Sequence, residues 1–145
     1  SGLMVLAKTD AAFQHLQDQF RCLTVHKKYR AVVSGDVSSD AFTLDMPLTR
    51  HVSKPYKWQV APKGDPGGME AVSHVEVVKR YGTKTVVDVV IETGRTHQIR
   101  VHLAHKGFPL IGDRIYGTVK GSSVFFLRCF ELGFCHPVTG SFLSF

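Results

Sequence analysis

Two runs of the chain, Val72–Val78 and Lys84–Ile91, are rich in β-branched residues and are joined through Tyr81-Gly82-Thr83. Two such runs around a short turn predict a β-hairpin. The second run is apolar at Val87, Val89 and Ile91 and again at Val86 and Val90. A half-buried strand alternates apolar with polar residues, whereas a run apolar on both faces belongs inside a sheet. The chain therefore has to build a sheet around Lys84–Ile91.

Other elements follow from local signals. Leu3-Met4-Val5-Leu6 reads as a buried strand. Thr9 is placed to cap a helix with Asp10 in its first turn and Phe13, Leu16 and Phe20 on one face, ending near Arg21-Cys22. Tyr29–Val33 predicts a strand, and Gly35–Lys54 is mostly loop with a short strand at Phe42-Thr43-Leu44. Trp58-Gln59-Val60 predicts another strand before the strongest loop signal, Pro62 to Gly68. Phe125-Phe126-Leu127 and Phe142-Leu143 predict closing strands around a turn at His136–Gly140. Few helices among many strands give an α+β fold with a mixed, largely antiparallel sheet. With 145 residues, 43% of them hydrophobic, the chain has material for one core, hence a single domain over residues 1–145.

The stretch densest in chemistry is Gly94-Arg95-Thr96-His97-Gln98-Ile99-Arg100-Val101-His102, followed by Gly107-Phe108-Pro109 and Gly112-Asp113-Arg114-Ile115-Tyr116-Gly117. It reads as a short helix with Thr93 or Thr96 as N-cap, Ile99 and Leu103 as its apolar stripe, and Gly107 as its stop. Free N–H groups and arginines at a helix start suit an anion, although a solvated basic helix has the same composition.

The charge balance, 18 Lys+Arg against 12 Asp+Glu for a net +6, points to a polyanionic partner. Cys22, Cys129 and Cys135 have no C-x-x-C spacing, and His97, His102 and His105 have no further ligands at metal spacing, so neither a disulfide framework nor a metal site is expected. No apolar run approaches the roughly 20 residues of a membrane span, and the reducing cytoplasm is the expected compartment. No glycine-rich strand–helix loop for a phosphate-bearing metabolite is present in the sequence.

The stretch from Gly94 to Gly117 resembles the pseudouridine synthases of the RluA type, which modify uridines in ribosomal and transfer RNA. Three further pieces resemble that family in its own order: Ser1–Thr9, Lys27–Val33 as its tyrosine strand, and Leu132–Gly140 as its C-terminal hairpin. The segment from Ser34 to Val75 is only weakly anchored. The resemblance implies an isomerase that breaks the N-glycosidic bond of uridine, turns the base and joins C5 to the sugar. That chemistry has no redox change and no net hydrolysis, so no cofactor or metal is implied, and the partner is structured rRNA or tRNA, the substrate of a monomeric enzyme. The family's nucleophile is an aspartate in His-Arg-Leu-Asp-x-x-Thr-Ser-Gly. Ser1-Gly2 matches the tail of that motif, so the aspartate is expected upstream of Ser1, and the chain alone is expected to be inactive. A non-catalytic RNA-binding module derived from the family is the alternative.

Residue by residue, Tyr29 resembles the family's active-site tyrosine, whose ring stacks on the flipped base and whose hydroxyl handles the C5 proton. Arg100 resembles the arginine that pairs with the nucleophile; without it, Arg100 is expected to lie unpaired in an anion-attracting cleft facing Tyr29. Ile99 would wall the base, with Arg95, His97 and Lys28 as further substrate contacts. Asp113 and Tyr116 are read as turn-fixing residues. The chain departs from the family at Leu127-Arg128-Cys129, where Leu-His-Ala is usual, so the packing of the last strands is expected to differ locally. Basic residues interleaved with aromatics, as at Lys54–Trp58 and Lys79–Tyr81, fit either RNA stacking platforms or a solvated face.

Overall fold

The computed structural model describes residues 1–117 and 124–145. In chain order its elements are α1 (Asp10–Arg21), β1 (His26–Ser34), β2 (Ala41–Asp45), β3 (Leu48–Arg50), β4 (Trp58–Val60), β5 (Val72–Arg80), β6 (Lys84–Ile91), α2 (Gln98–His105), β7 (Leu127–Cys135) and β8 (Phe142–Ser144). Six strands form one sheet in the order β2-β5-β6-β1-β7-β8, and β3 pairs with β4 separately. Every pairing between these strands is antiparallel, and a parallel bridge joins Gly2 to Cys129. The α+β reading holds, and β6 and β1 are the two middle strands. No helix among the described residues is long and apolar enough to cross a membrane.

Alternation along the middle strands decides which side chains meet. Ala31 and Val33 of β1 and Val87, Val89 and Ile91 of β6 are buried in one cluster with Ile99 and Leu103 of α2, and Tyr29 packs against it. The neighbouring side chains Lys28, Arg30, Val86 and Asp88 face the other way. Between Lys28 and Tyr29 the register with β7 slips by one residue, so that Tyr29 stands opposite Cys129 and Lys28 opposite Glu131. This bulge brings Cys129, Leu132 and Phe134 together on the Tyr29 side, where they bury with Leu16 of α1.

Helix α1 starts where expected: the Thr9 side chain accepts a hydrogen bond from Ala12 N at 3.2 Å. Its expected apolar stripe is only partly used. Leu16 is buried, but Phe13 and Phe20 are half exposed, and the buried partner is Gln19, bonded to both the carbonyl and the N–H of Cys135. Leu3–Leu6 is not a strand. Beyond the Gly2 bridge the segment leaves the sheet edge, and Met4 and Leu6 are exposed. Gly35–Lys54 contains two strands rather than one, β2 on the edge of β5 and β3 in the small hairpin. Phe125 and Phe126 precede β7 rather than joining it.

Candidate active site

The loop into α2 is built from side chains that satisfy its backbone. Thr93, buried, accepts from Val72 N and donates to Gln98 Oε1 at 2.8 Å; the same oxygen accepts from Arg95 N. Gln98 Nε2 donates to Val72 O and Ser73 Oγ. Neither Thr93 nor Thr96 caps the helix. The cap position is His97, which has a left-handed backbone (φ 58°) and makes no side-chain capping bond. For a non-glycine residue that conformation is a source of strain, held here by the surrounding bonds. The other end of α2 behaves as expected: Gly107 has φ 93°, Phe108 N donates to Leu103 O and Gly107 N to Ala104 O, the paired bonds of a glycine stop.

Behind this loop, His102 is fully buried. Its Nε2 lies 2.9 Å from Met46 O and its Nδ1 3.0 Å from Ser73 Oγ. A carbonyl only accepts, so Nε2 carries the proton and Nδ1 accepts from the serine. Burial lowers the His102 pKa, only partly opposed by the Met46 bond, and the ring is a neutral strut.

Tyr29, Ile91, Arg95, His97, Gln98, Ile99, Arg100 and Leu127 line one cleft of about 220 Å³. Five of the six residues singled out in the sequence therefore share a single concavity. Lys28 does not join them. It lies on the opposite face of β1, 3.5 Å from Asp88, which also takes a bidentate bond from Arg30 at 2.7 and 2.9 Å. The strand's alternation puts Lys27 on the Tyr29 side instead. Lys27 is 6% exposed, its ammonium sits 5.8 Å from the Phe20 ring, and no hydrogen bond or ion pair reaches it among the described residues. Burial accordingly lowers its pKa.

Arg100 is not the unpaired cation expected. Its Nε and Nη2 donate to Asp113 Oδ2 and Oδ1 at 2.8 and 2.7 Å, with the arginine side chain 16% exposed and the aspartate 0%. Asp113 Oδ1 also accepts from Ile115 N and Tyr116 N, so the residue read as a turn former fixes the turn and the guanidinium together. Burial alone would raise the Asp113 pKa; the Arg100 bonds and the two N–H groups outweigh it and hold the carboxyl below its ordinary value. Gly112, next to Asp113, lets the Val124 backbone come close: its φ is 78°, and a Cβ there would stand 1.9 Å from Val124 O. The guanidinium carbon lies over the rings of Tyr116 and Phe125, 5.0 and 5.3 Å from their centroids.

Arg95 Nε donates to Glu70 O, which steers its fork without neutralising it. Tyr29 is half buried. Burial first, then the adjoining Cys129 thiol, raise its hydroxyl above the ordinary tyrosine value, so it is a neutral phenol at pH 7. Cys129 fills the departure from the usual family residue; it is buried beside Tyr29 and is one of three free cysteines among the described residues. Trp58 belongs to the core edge with Leu48, Ala71 and Val101, while Tyr56 is exposed.

The model of the RNA pseudouridylate synthase family matches residues 1–105. The chain belongs to that family. An uncharacterized RNA pseudouridine synthase of Bacillus subtilis (strain 168) is 42% identical over 150 residues, which cover 100% of this chain and 47% of that protein. A ribosomal large subunit pseudouridine synthase D of Pseudomonas aeruginosa is 44% identical over 117 residues, or 81% of this chain and 35% of that protein. The chain thus spans about half the length, or less, of these curated relatives. Human RNA pseudouridylate synthase domain containing 1 superposes with a TM-score of 0.82 at 24% identity, over 96% of this chain and 60% of that one, a likeness of fold.

Proposed function

We propose that the cleft between Tyr29 and α2 receives the flipped uridine of an RNA pseudouridine synthase, and that this chain supplies every part of the site except the nucleophilic carboxylate. The observation that carries the reading is the convergence of Tyr29, Ile99, Arg95, His97 and Arg100 on one cleft in a chain of that family. The cavity has room for a single flat ring. Tyr29 stacks on the base, Ile99 and Leu127 form apolar walls, and Arg95, whose charge has no carboxylate partner among the described residues, takes a backbone phosphate. The isomerisation needs a group that attacks or stabilises the sugar while the base turns. The one carboxylate touching Arg100, Asp113, is committed to four hydrogen bonds and is not free to attack. No carboxylate lines the cleft among the described residues, so the 145 residues alone are expected to turn over no uridine.

The raised pKa of Tyr29 refines its part. A phenol held neutral cannot act as a standing phenolate base, so proton transfer at C5 through it is coupled to loss of its own proton. The substrate is rRNA or tRNA, met by a monomer in the cytoplasm, where free thiols persist. The test is tritium release from RNA carrying 5-tritiated uridine, with the whole protein as enzyme. Tyr29→Phe is expected to keep RNA binding and to lose turnover by about 10²–10⁴-fold. Turnover by the whole protein that survives Tyr29→Phe removes the hydroxyl from the reaction, and no turnover by the wild type in any cellular RNA leaves the RNA-binding module as the function.

A further inference from the structure

Tyr116 meets two groups through one oxygen. Trp58 N donates to its hydroxyl at 2.8 Å, and His97 Nδ1 lies 3.0 Å from the same atom. A backbone N–H can only donate, so one lone pair of the hydroxyl is taken. The hydroxyl hydrogen then has one acceptor among the described residues, His97 Nδ1. A ring whose Nδ1 accepts carries its proton on Nε2. The edge-on contact of the two rings, centroids 5.6 Å apart and planes at 79°, holds the imidazole at that angle.

Among the described residues the opposite edge of the imidazole has no partner, and His97 lines the cleft with Tyr29 and Ile99. We propose that Tyr116 is a positioning residue that fixes His97 as its Nε2–H tautomer, so that the cleft offers a neutral N–H donor to a carbonyl oxygen of the bound pyrimidine. The donation half rests on the uridine reading given above; the tautomer half does not. Groups facing His97 agree with a neutral ring. Burial lowers its pKa first, the Arg100 guanidinium lowers it further, and Asp113, already committed to Arg100, opposes only in part. Tyr29, the remaining titratable neighbour across the cleft, is a neutral phenol, and Arg95 adds only positive charge. A neutral donor suits a carbonyl because it lends no full charge that would trap phosphate in the base site.

The decisive measurement is long-range ¹⁵N–¹H correlation on histidine-labelled protein. At neutral pH His97 is expected to show a bare Nδ1 and a protonated Nε2. Tyr116→Phe, which removes the hydrogen donated to Nδ1 and leaves the ring in place, is expected to shift the population toward the Nδ1–H form. An Nδ1–H tautomer in the wild type, or no change in Tyr116→Phe, overturns the positioning role whatever the enzyme does. Donation to the base is read in the whole protein. His97→Ala is expected to lower kcat/KM about tenfold, the worth of one net hydrogen bond, and His97→Gln to restore most of it through its own N–H at the same reach. Equal losses in both variants overturn the donation. No synthase activity in the wild type overturns it together with the proposed function, while the spectra still decide the tautomer.

Discussion

Asp113→Ala is the substitution whose cost the geometry defines best. The Asp113 side chain is fully buried and accepts from Arg100 at 2.7 and 2.8 Å and from Ile115 N and Tyr116 N at 2.9 and 3.1 Å. Removing it strands a guanidinium that is 16% exposed, and breaking one side of a buried pair costs about 3–5 kcal/mol. The two freed N–H groups lie in a surface turn, where water can take up part of the loss, so the total stays near that range. A domain of this size is stable by about 5–15 kcal/mol, so the variant should be folded but visibly weakened. Urea unfolding of the chain gives the number. Arg100→Met combined with Asp113→Leu should recover part of the loss, because apolar replacement of both partners leaves no stranded charge. A loss below about 1 kcal/mol in Asp113→Ala, or a double variant weaker than the two single losses added, would refute the reasoning. The pH dependence has a definite sign. A carboxyl held below its ordinary value contributes full stability above about pH 4 and loses it as pH falls through the depressed folded value. Asp113→Asn should flatten that acid limb.

Two further outcomes concern buried bases. His102 is held neutral with its pKa lowered, so stability is complete above about pH 6.5 and declines as pH falls toward the folded value, where the unfolded chain takes a proton that the fold refuses; in His102→Asn, urea midpoints between pH 7 and pH 5 should change less than in the wild type. Lys27→Met should leave the chain at least as stable at pH 7, by up to about 1 kcal/mol, since it removes a buried ammonium that has no counter-ion among the described residues. If calorimetry instead shows a clear loss of stability, Lys27 has an anionic partner in the fold after all.

Most of the sheet was legible in the residues. The β5–β6 hairpin, the doubly apolar middle strand, the Thr9 cap and the Gly107 stop each rest on short-range chemistry that the structure repeats. The failures have physical causes. Leu3–Leu6 is apolar, but apolar sequence alone does not supply a neighbour to pair with, and β7 offers its edge only at Cys129. Thr93 and Thr96 are good capping residue types, yet Thr93 is drawn to Val72 and Gln98, and a left-handed histidine takes the cap. Arg100 was read against a partner outside the chain, while Asp113, only thirteen residues on, was read as a turn alone. The choice of Lys28 over Lys27 had a signal against it: alternate residues of a strand share a face, so Tyr29 looks the same way as Lys27 and Ala31. His97 and Tyr116 gave no sequence cue for their pairing, because the contact depends on where two loops meet.

The slip between Lys28 and Tyr29 makes β7 a strand that carries one residue more than its partner needs. Upstream of it, Cys129 looks toward Tyr29; downstream, Leu132 and Phe134 look the same way although they stand an odd number of positions, three and five, along from Cys129. Adding one residue beside Phe130 would turn Leu132 and Phe134 to the opposite face and bring Glu131 and Gly133 against α1, whereas removing Phe130 would straighten the strand and leave both faces as they are. Side chains here can drift and the extra residue can be lost, but a further insertion turns the strand over. Descendants of this sequence should therefore vary in letters along β7 and keep or drop one residue, but not gain one, between the tyrosine-facing cysteine and the closing turn at His136.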